Sequence, residues 1–507
     1  MRDLSRNRIV LAVFVLASVA ALYGAAGLSQ HPVAVAQTAQ LTSPRRAAVS
    51  SAIRVCPGPG FAGAGGGVAI ATAPASAAAG HAVLSRLSAT GSTAAGATVS
   101  SVNEPGKLVT TAASEGPATP RTQGSGQSTD GGAVTTAPGR GGIMISATGS
   151  MAQGLEAEQT GPTGLVTARC AEPGTDFWFV GPGQQSESDI ELALMDADDQ
   201  QADAQVTALT DSGPLLTSTD TGVVVPAHAM VTQPLSQLLE RSRFVALHVS
   251  ASLGRVIAAV RETSNGSQPG GWLPVTEAPA KRFVLPGLPG TAGARELYIV
   301  VPGASNAQVR LTAVTPRGIY QPTGGSGLDL PGGSAVGVPL PSLGGIPAAI
   351  EVSSSVPVTA VVTVPGGAAG SPGAFTAAAP PVREQGVMAD LPGSAGGTAE
   401  LVLSATAGAA SVRIAEATSA AALGSFPSRV VQVPAGHTVV TALRPPPGSA
   451  AAAAFAAVIT PLTGSGPVYA GSVISSASTV QSILPVASSL TWVPLPTVHS
   501  TLTAVLP

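Results

Sequence analysis

Few side chains in this 507-residue sequence could do chemistry: two cysteines, six histidines and one acidic run. Cys56 and Cys170 are an even pair, which in an oxidising compartment forms a disulfide more readily than a metal site or a nucleophile. A bridge would close a loop of 115 residues, Cys56 to Cys170 inclusive, and two unpaired buried thiols are the alternative. His31, His81, His228, His248, His437 and His499 are scattered; His228 and His437 each follow a proline that ends an apolar run, which reads as equivalent loop positions. Asp189, Glu191, Asp196, Asp198, Asp199 and Asp203 could gather oxygens around a hard cation such as calcium. The glycine and distal glutamate of an EF-hand are missing, so the run reads as a solvated turn. Gly-x-Ser-x-Gly, His-Glu-x-x-His, a Walker-type loop and Cys-x-x-Cys are all absent. No catalytic, cofactor-binding or metal-binding residue is therefore expected, and an enzyme without a recognised signature is the remote alternative.

The elements that carry these residues are short strands. Hydrophobic residues make up 44% of the chain but aromatics only 3% and charged residues only 10%, well under the ~25% of ordinary soluble domains. Gly 61 and Pro 44 interrupt helices too often for a bundle and suit strands joined by turns. Lys107 and Lys281 are the only lysines, and no arginine cluster could neutralise a run of phosphates, so nucleic acid is excluded as a partner.

Arg2, Arg6 and Arg8 precede the uncharged stretch Ile9 to Leu28, whose twenty residues would span about 30 Å as a helix. Residues 1–28 are thus expected to be a transmembrane anchor or a signal segment, with the membrane met through 9–28 and the rest of the chain exported. Ala34-Val35-Ala36 offers a cleavage site, so the protein is either single-pass with an extracytoplasmic C-terminal region or secreted after cleavage following Ala36. Residues 29–50 read as a linker.

Further on, the chain repeats itself. Phe177-Trp178-Phe179-Val180-Gly181-Pro182-Gly183 resembles Leu297-Tyr298-Ile299-Val300-Val301-Pro302-Gly303, 120 residues later, and a third copy begins near Ala399. Alternating runs follow at Ala204–Leu209, Ala307–Thr312 and Ala410–Ile414, and proline-ended runs at Val223–Pro226, Leu328–Pro331 and Val431–Pro434. The expected fold is all-β: tandem immunoglobulin-like β-sandwich domains at 176–290, 291–390 and 391–507, preceded by a divergent β domain at 51–175. Within the latter, 113–142 is poor in large apolar groups and is expected to be a flexible loop. Trp272-Leu273-Pro274-Val275 and Trp492-Val493-Pro494-Leu495 occupy comparable settings, which points to packing and away from a sugar platform such as Trp178, Trp272 or Trp492 could otherwise form.

An N-terminal anchor, Val55-Cys56-Pro57-Gly58-Pro59, Ala168-Arg169-Cys170-Ala171-Glu172-Pro173 and Phe177-Trp178-Phe179-Val180-Gly181 occur here in an order and spacing that resembles the actinobacterial proteins grouped as DUF5719. One departure is Asp196-Ala197-Asp198-Asp199, where an Asn-Pro-type turn is expected. The resemblance implies a membrane-associated or secreted protein and carries no catalytic residue with it. The expected function is a non-enzymatic cell-envelope scaffold whose partners are envelope proteins or wall polymers; a cell-wall glycan-binding module is the alternative.

Overall fold

Alternation along single strands shows how the repeats build their cores. In Ala202–Thr210 the side chains of Ala202, Ala204, Val206, Ala208 and Thr210 point inward while Gln205 and Thr207 face water. Ala307–Thr315 and Ala410–Ala417 bury the same alternate positions and expose Arg310 and Arg413, as a period of two requires. The computed structural model describes residues 13, 15–21, 46–58, 61, 67–73, 79–89, 98–113, 134–136, 141–161, 165–183, 188–215, 222–235, 239, 242–264, 271–365, 373–477 and 479–495. They fall into two compact units, 48–492 and the two ends together, 1–47 with 493–507. Of the expected membrane segment, residues 13 and 15–21 are helical and the remainder lies outside the described residues. No helix among the described residues is long and apolar enough to cross a membrane.

Residues 48–492 hold four β-sandwiches with one topology. In the second, the eight main strands are Asp176–Pro182, Ser188–Met195, Ala202–Thr210, Val223–Val225, Ala229–Pro234, Phe244–Leu253, Ile257–Ser264 and Trp272–Leu273. Numbered in chain order, they form one sheet in the order first, sixth, third, fourth and another in the order eighth, seventh, second, fifth. The first sandwich (Ser51–Cys56 to Thr167–Arg169), the third (Ala280–Leu288 to Ala374–Ala377) and the fourth (Gly386–Leu391 to Thr479–Val486) keep the same two orders. In the third, the sixth and seventh strands are fused into Ala348–Val364, which pairs with Ala280–Leu288 on one side of Pro357 and mainly with Glu296–Val301 beyond it. Lacking an N–H, proline is tolerated at such a change of sheet.

The fold is all-β, as expected, but three details differ. Immunoglobulin domains place strands A, B, E and D together, whereas here the first and second strands lie in opposite sheets, as do the fourth and fifth. Composition and turn spacing are blind to that choice. The opening run Phe177–Gly183 is equivalent to Ala280–Leu288 and not to Leu297–Gly303, because it pairs with the sixth strand of its sandwich. The true counterpart of Glu296–Val301 is Ser188–Met195, which pairs with the fifth and seventh. The third and fourth sandwiches therefore start at Ala280 and Gly386, ahead of the expected boundaries at 291 and 391. Finally, Val134–Thr136, inside the expected loop 113–142, is a strand parallel to Val109–Ala113; 114–133 and 137–140 lie outside the described residues.

The sandwiches pack head to tail. Ile190, Leu192 and Leu194 face their own core, while Ala193 and Met195 on the same strand pack with Val55 and Leu87 of the first sandwich. Leu297, Ile299 and Val301 likewise face inward, and Tyr298 and Val300 join the core of the second sandwich. Val402 joins that of the third. The pattern returns to its start: Ala69 and Ala71 of the first sandwich pack with Val387, Ala389, Ala456 and Val458 of the fourth. Each first sheet thus covers the second sheet of the next copy, and the fourth covers the first.

At the third junction Gly287 and Gly471 meet so closely that a Cβ on Gly471 would lie 2.5 Å from the Gly287 Cα. Gly471→Ala should cost about 1–3 kcal/mol in urea unfolding, while Gly303→Ala, whose added carbon meets open space, should stay within about 0.5 kcal/mol. Equal effects would show that the two backbones do not need this approach. Replacing both Cys56 and Cys170 by serine should cost about 2–5 kcal/mol in the same experiment.

Candidate functional site

The eighth strand is the free edge of the second sheet in every sandwich, and the four copies of it converge. Thr167–Arg169, Trp272–Leu273, Ala374–Ala377 and Thr479–Val486 all contribute to the wall of one cavity of about 460 Å³. Its apolar lining includes Phe177, Phe179, Trp272, Phe375 and Ile483. Two polar groups at the wall pair with each other. The Thr167 and Ser482 hydroxyls lie 2.9 Å apart and the Ser482 hydroxyl also donates to the Thr167 carbonyl. Behind the wall, the Thr276 and Thr359 hydroxyls pair at 3.0 Å.

On one flank of this cavity sits a charged cluster at the closing junction of the four sandwiches. Glu156 is buried and takes the Arg169 Nε at 2.9 Å, the Ser489 hydroxyl at 2.9 Å and the Arg54 Nη2 at 3.6 Å. Arg54 also reaches Glu172 through Nη1 at 2.5 Å. Two residues on, Glu158 spans to the fourth sandwich: Oε1 accepts from the Ala389 N–H at 2.9 Å and Oε2 from that of Asp390 at 3.2 Å. Burial pushes the Glu158 carboxyl up to about 8 against the pull of the Ala389 N–H and Arg169, with Asp390 and Glu156 adding to the rise. Burial also raises Asp390 to about 6, opposed by a hydrogen bond from Thr160.

Cys56 and Cys170 are joined in a disulfide, with their Cα atoms 4.5 Å apart, and their neighbours Pro57 and Ala171 line the cavity. The acidic run is not brought together. Asp198 is taken by Arg255 through two nitrogens at 3.0 and 2.5 Å, Asp199 by His228 at 2.9 Å, and Asp196 accepts the Asp198 N–H at 2.7 Å. Among the described residues no three His, Cys, Asp or Glu converge as a metal set. His248 stacks on Trp178 at 4.1 Å and bonds Asp176 at 2.8 Å. His81 bonds the Thr148 hydroxyl and His437 the Ala435 carbonyl, while His31 and His499 lie outside the described residues. Trp178 is buried, Trp272 lines the cavity and tilts against Phe61, and Trp492 is 39% exposed.

The family's sequence profile matches residues 123–444, from the first sandwich to just past the fifth strand of the fourth. The chain belongs to DUF5719, a family of unknown function. No curated protein matches it. Among solved structures, an α-L-rhamnosidase from Streptomyces avermitilis complexed with L-rhamnose aligns at 10% identity and a TM-score of 0.12, over 86% of this chain and 55% of that one. The chain thus spans about half the length of that enzyme, and so low a score carries no argument about this DUF5719 chain.

Sequence reasoning missed the Arg54, Glu156, Glu158, Arg169 and Asp390 cluster. The available signal was density: in a chain with 10% charged residues, Glu156-Ala157-Glu158 and Arg169 lie within 14 residues of one another. Because the Glu158 carboxyl is raised above its ordinary value of 4.5, the folded state holds a proton there that the unfolded chain has released. Its contribution is intact at low pH, and the fold weakens as pH climbs from about 4.5 to about 8. Between about pH 5 and pH 8 the wild type should lose on the order of 2–4 kcal/mol relative to Glu158→Gln, read from urea midpoints across pH. Parallel profiles would remove Glu158 as the cause.

Proposed function

We propose that this protein is a non-enzymatic scaffold of the cell envelope, exported by its N-terminal apolar segment and presenting loops and sheet edges to envelope proteins. The observation that carries the proposal is the closed head-to-tail packing of four sandwiches. It gives a body in which every junction is built like a core, suited to holding binding loops at fixed spacing. The Cys56–Cys170 disulfide supports folding in an oxidising compartment. The likeness to immunoglobulin domains extends to the size and two-sheet construction of each copy and stops at the connectivity.

A second reading, binding of cell-wall glycan, is favoured by exposed Trp492 beside exposed Leu490, since an aromatic face in water is what a sugar ring stacks on. Crosslinking in intact cells followed by identification of neighbours tests the scaffold reading: discrete envelope proteins are expected, and crosslinks confined to cytoplasmic proteins would overturn it. Retention of the purified chain on wall material that is lost on Trp492→Ala, without a change in Tm, would replace the scaffold with the glycan-binding module.

A further inference from the structure

The cavity between the four eighth strands has the size and chemistry of a ligand site that the scaffold role does not use. Its volume of about 460 Å³ falls within the roughly 300–1,000 Å³ of small-molecule sites. At roughly 30 Å³ per water-sized group it accommodates about fifteen non-hydrogen atoms. The pocket is walled by Phe177, Phe179, Trp272, Phe375 and Ile483, drawn from three sandwiches, and the first adds Arg169.

The charges at the wall decide the headgroup. Arg169 and Arg54 are both engaged by Glu156, and Arg54 by Glu172 as well, so both cations of this group are paired, while Glu277 lines the same wall as a further acid. A carboxylate or phosphate brought in would lose its water without gaining a free cation, which costs several kcal/mol. A hydroxyl or amide loses far less and can share the hydrogen bonds of Thr167 and Ser482. We infer that this cavity is a binding site for an amphiphile without negative charge: an apolar body of about fifteen non-hydrogen atoms ending in a hydroxyl or amide. The inference stands whether or not the scaffold proposal does.

The full chain is titrated with N-phenylnaphthylamine, a neutral fluorophore. Enhanced probe emission is expected, with energy transfer from tryptophan that falls more in Trp272→Phe, at the wall, than in Trp492→Phe. Dodecanol should displace the probe at least tenfold more effectively than dodecanoate, both below their micelle-forming concentrations. Ala259→Trp and Ala487→Trp, which place bulk at the cavity wall from two different sandwiches, should each weaken the probe at least tenfold. The inference is overturned by absence of binding, by energy transfer unchanged in Trp272→Phe, or by dodecanoate matching the alcohol. Should either filling variant fail to fold, the Trp272→Phe transfer and the competitor ranking decide alone.

Discussion

A β-sandwich built from two sheets has two outer faces, and in this chain those faces are apolar enough that they must be covered. The structure depends on how this is done: the first sheet of one copy lies on the second sheet of the next, four times, with the fourth meeting the first. Head-to-tail contacts of this kind either close or run on as an open array. Closure leaves no terminal copy with an uncovered apolar face, so the chain needs none of the polar capping units that open repeat proteins require. It also explains a feature of the second strands. Ser188–Met195, Glu296–Val301 and Thr398–Ala405 sit between their own core and a neighbour's, and the described side chains are mostly apolar, with Glu191, Glu296, Thr398, Glu400 and Ser404 the exceptions. Alternation survives in the third strands, which keep one face nearer water.

The closing junction differs chemically from the other three. Small residues dominate its apolar part, Ala69, Ala71, Ala389 and Ala456 among them, and beside them lie the buried Glu156 and Glu158. Side chains of this size bring the backbones near enough for Glu158 to reach the amides of Ala389 and Asp390. A carboxyl group in such a place gives direction to the contact, because two N–H donors fix the position of the strand that carries them, while apolar contacts alone allow sliding. Its burial costs stability at higher pH, so the junction that completes the cycle is sensitive to protonation.

Convergence of the eighth strands follows from the same geometry. Each is the last strand of its second sheet, so whatever brings those sheets together around the cycle brings their edges together too. Exposed edges invite pairing with other chains; here the edges face one another across the cavity, and hydroxyls such as those of Thr167 and Ser482 bridge them. The Cys56–Cys170 bridge lies next to this region and ties the first strand of the first sandwich to the end of its eighth.

The all-β class, the existence of four copies and the cysteine pair were legible in the residues. Gly, Pro and β-prone runs are local signals, and Ala204–Leu209, Ala307–Thr312 and Ala410–Ile414 carry the same inward positions whatever surrounds them. The 120-residue offset between Phe177 and Leu297 misled because two apolar runs ending in Pro-Gly look alike, although Ala202 and Ala307, which open equivalent third strands, are offset by only 105; pairing partners, not composition, tell the first strand from the second. Strand order, closure of the cycle, the cavity and the Glu158 cluster lay beyond the sequence. They arise from contacts between residues as far apart as Glu158 and Ala389, and such contacts are set by which sheet faces find cover, which no local pattern records.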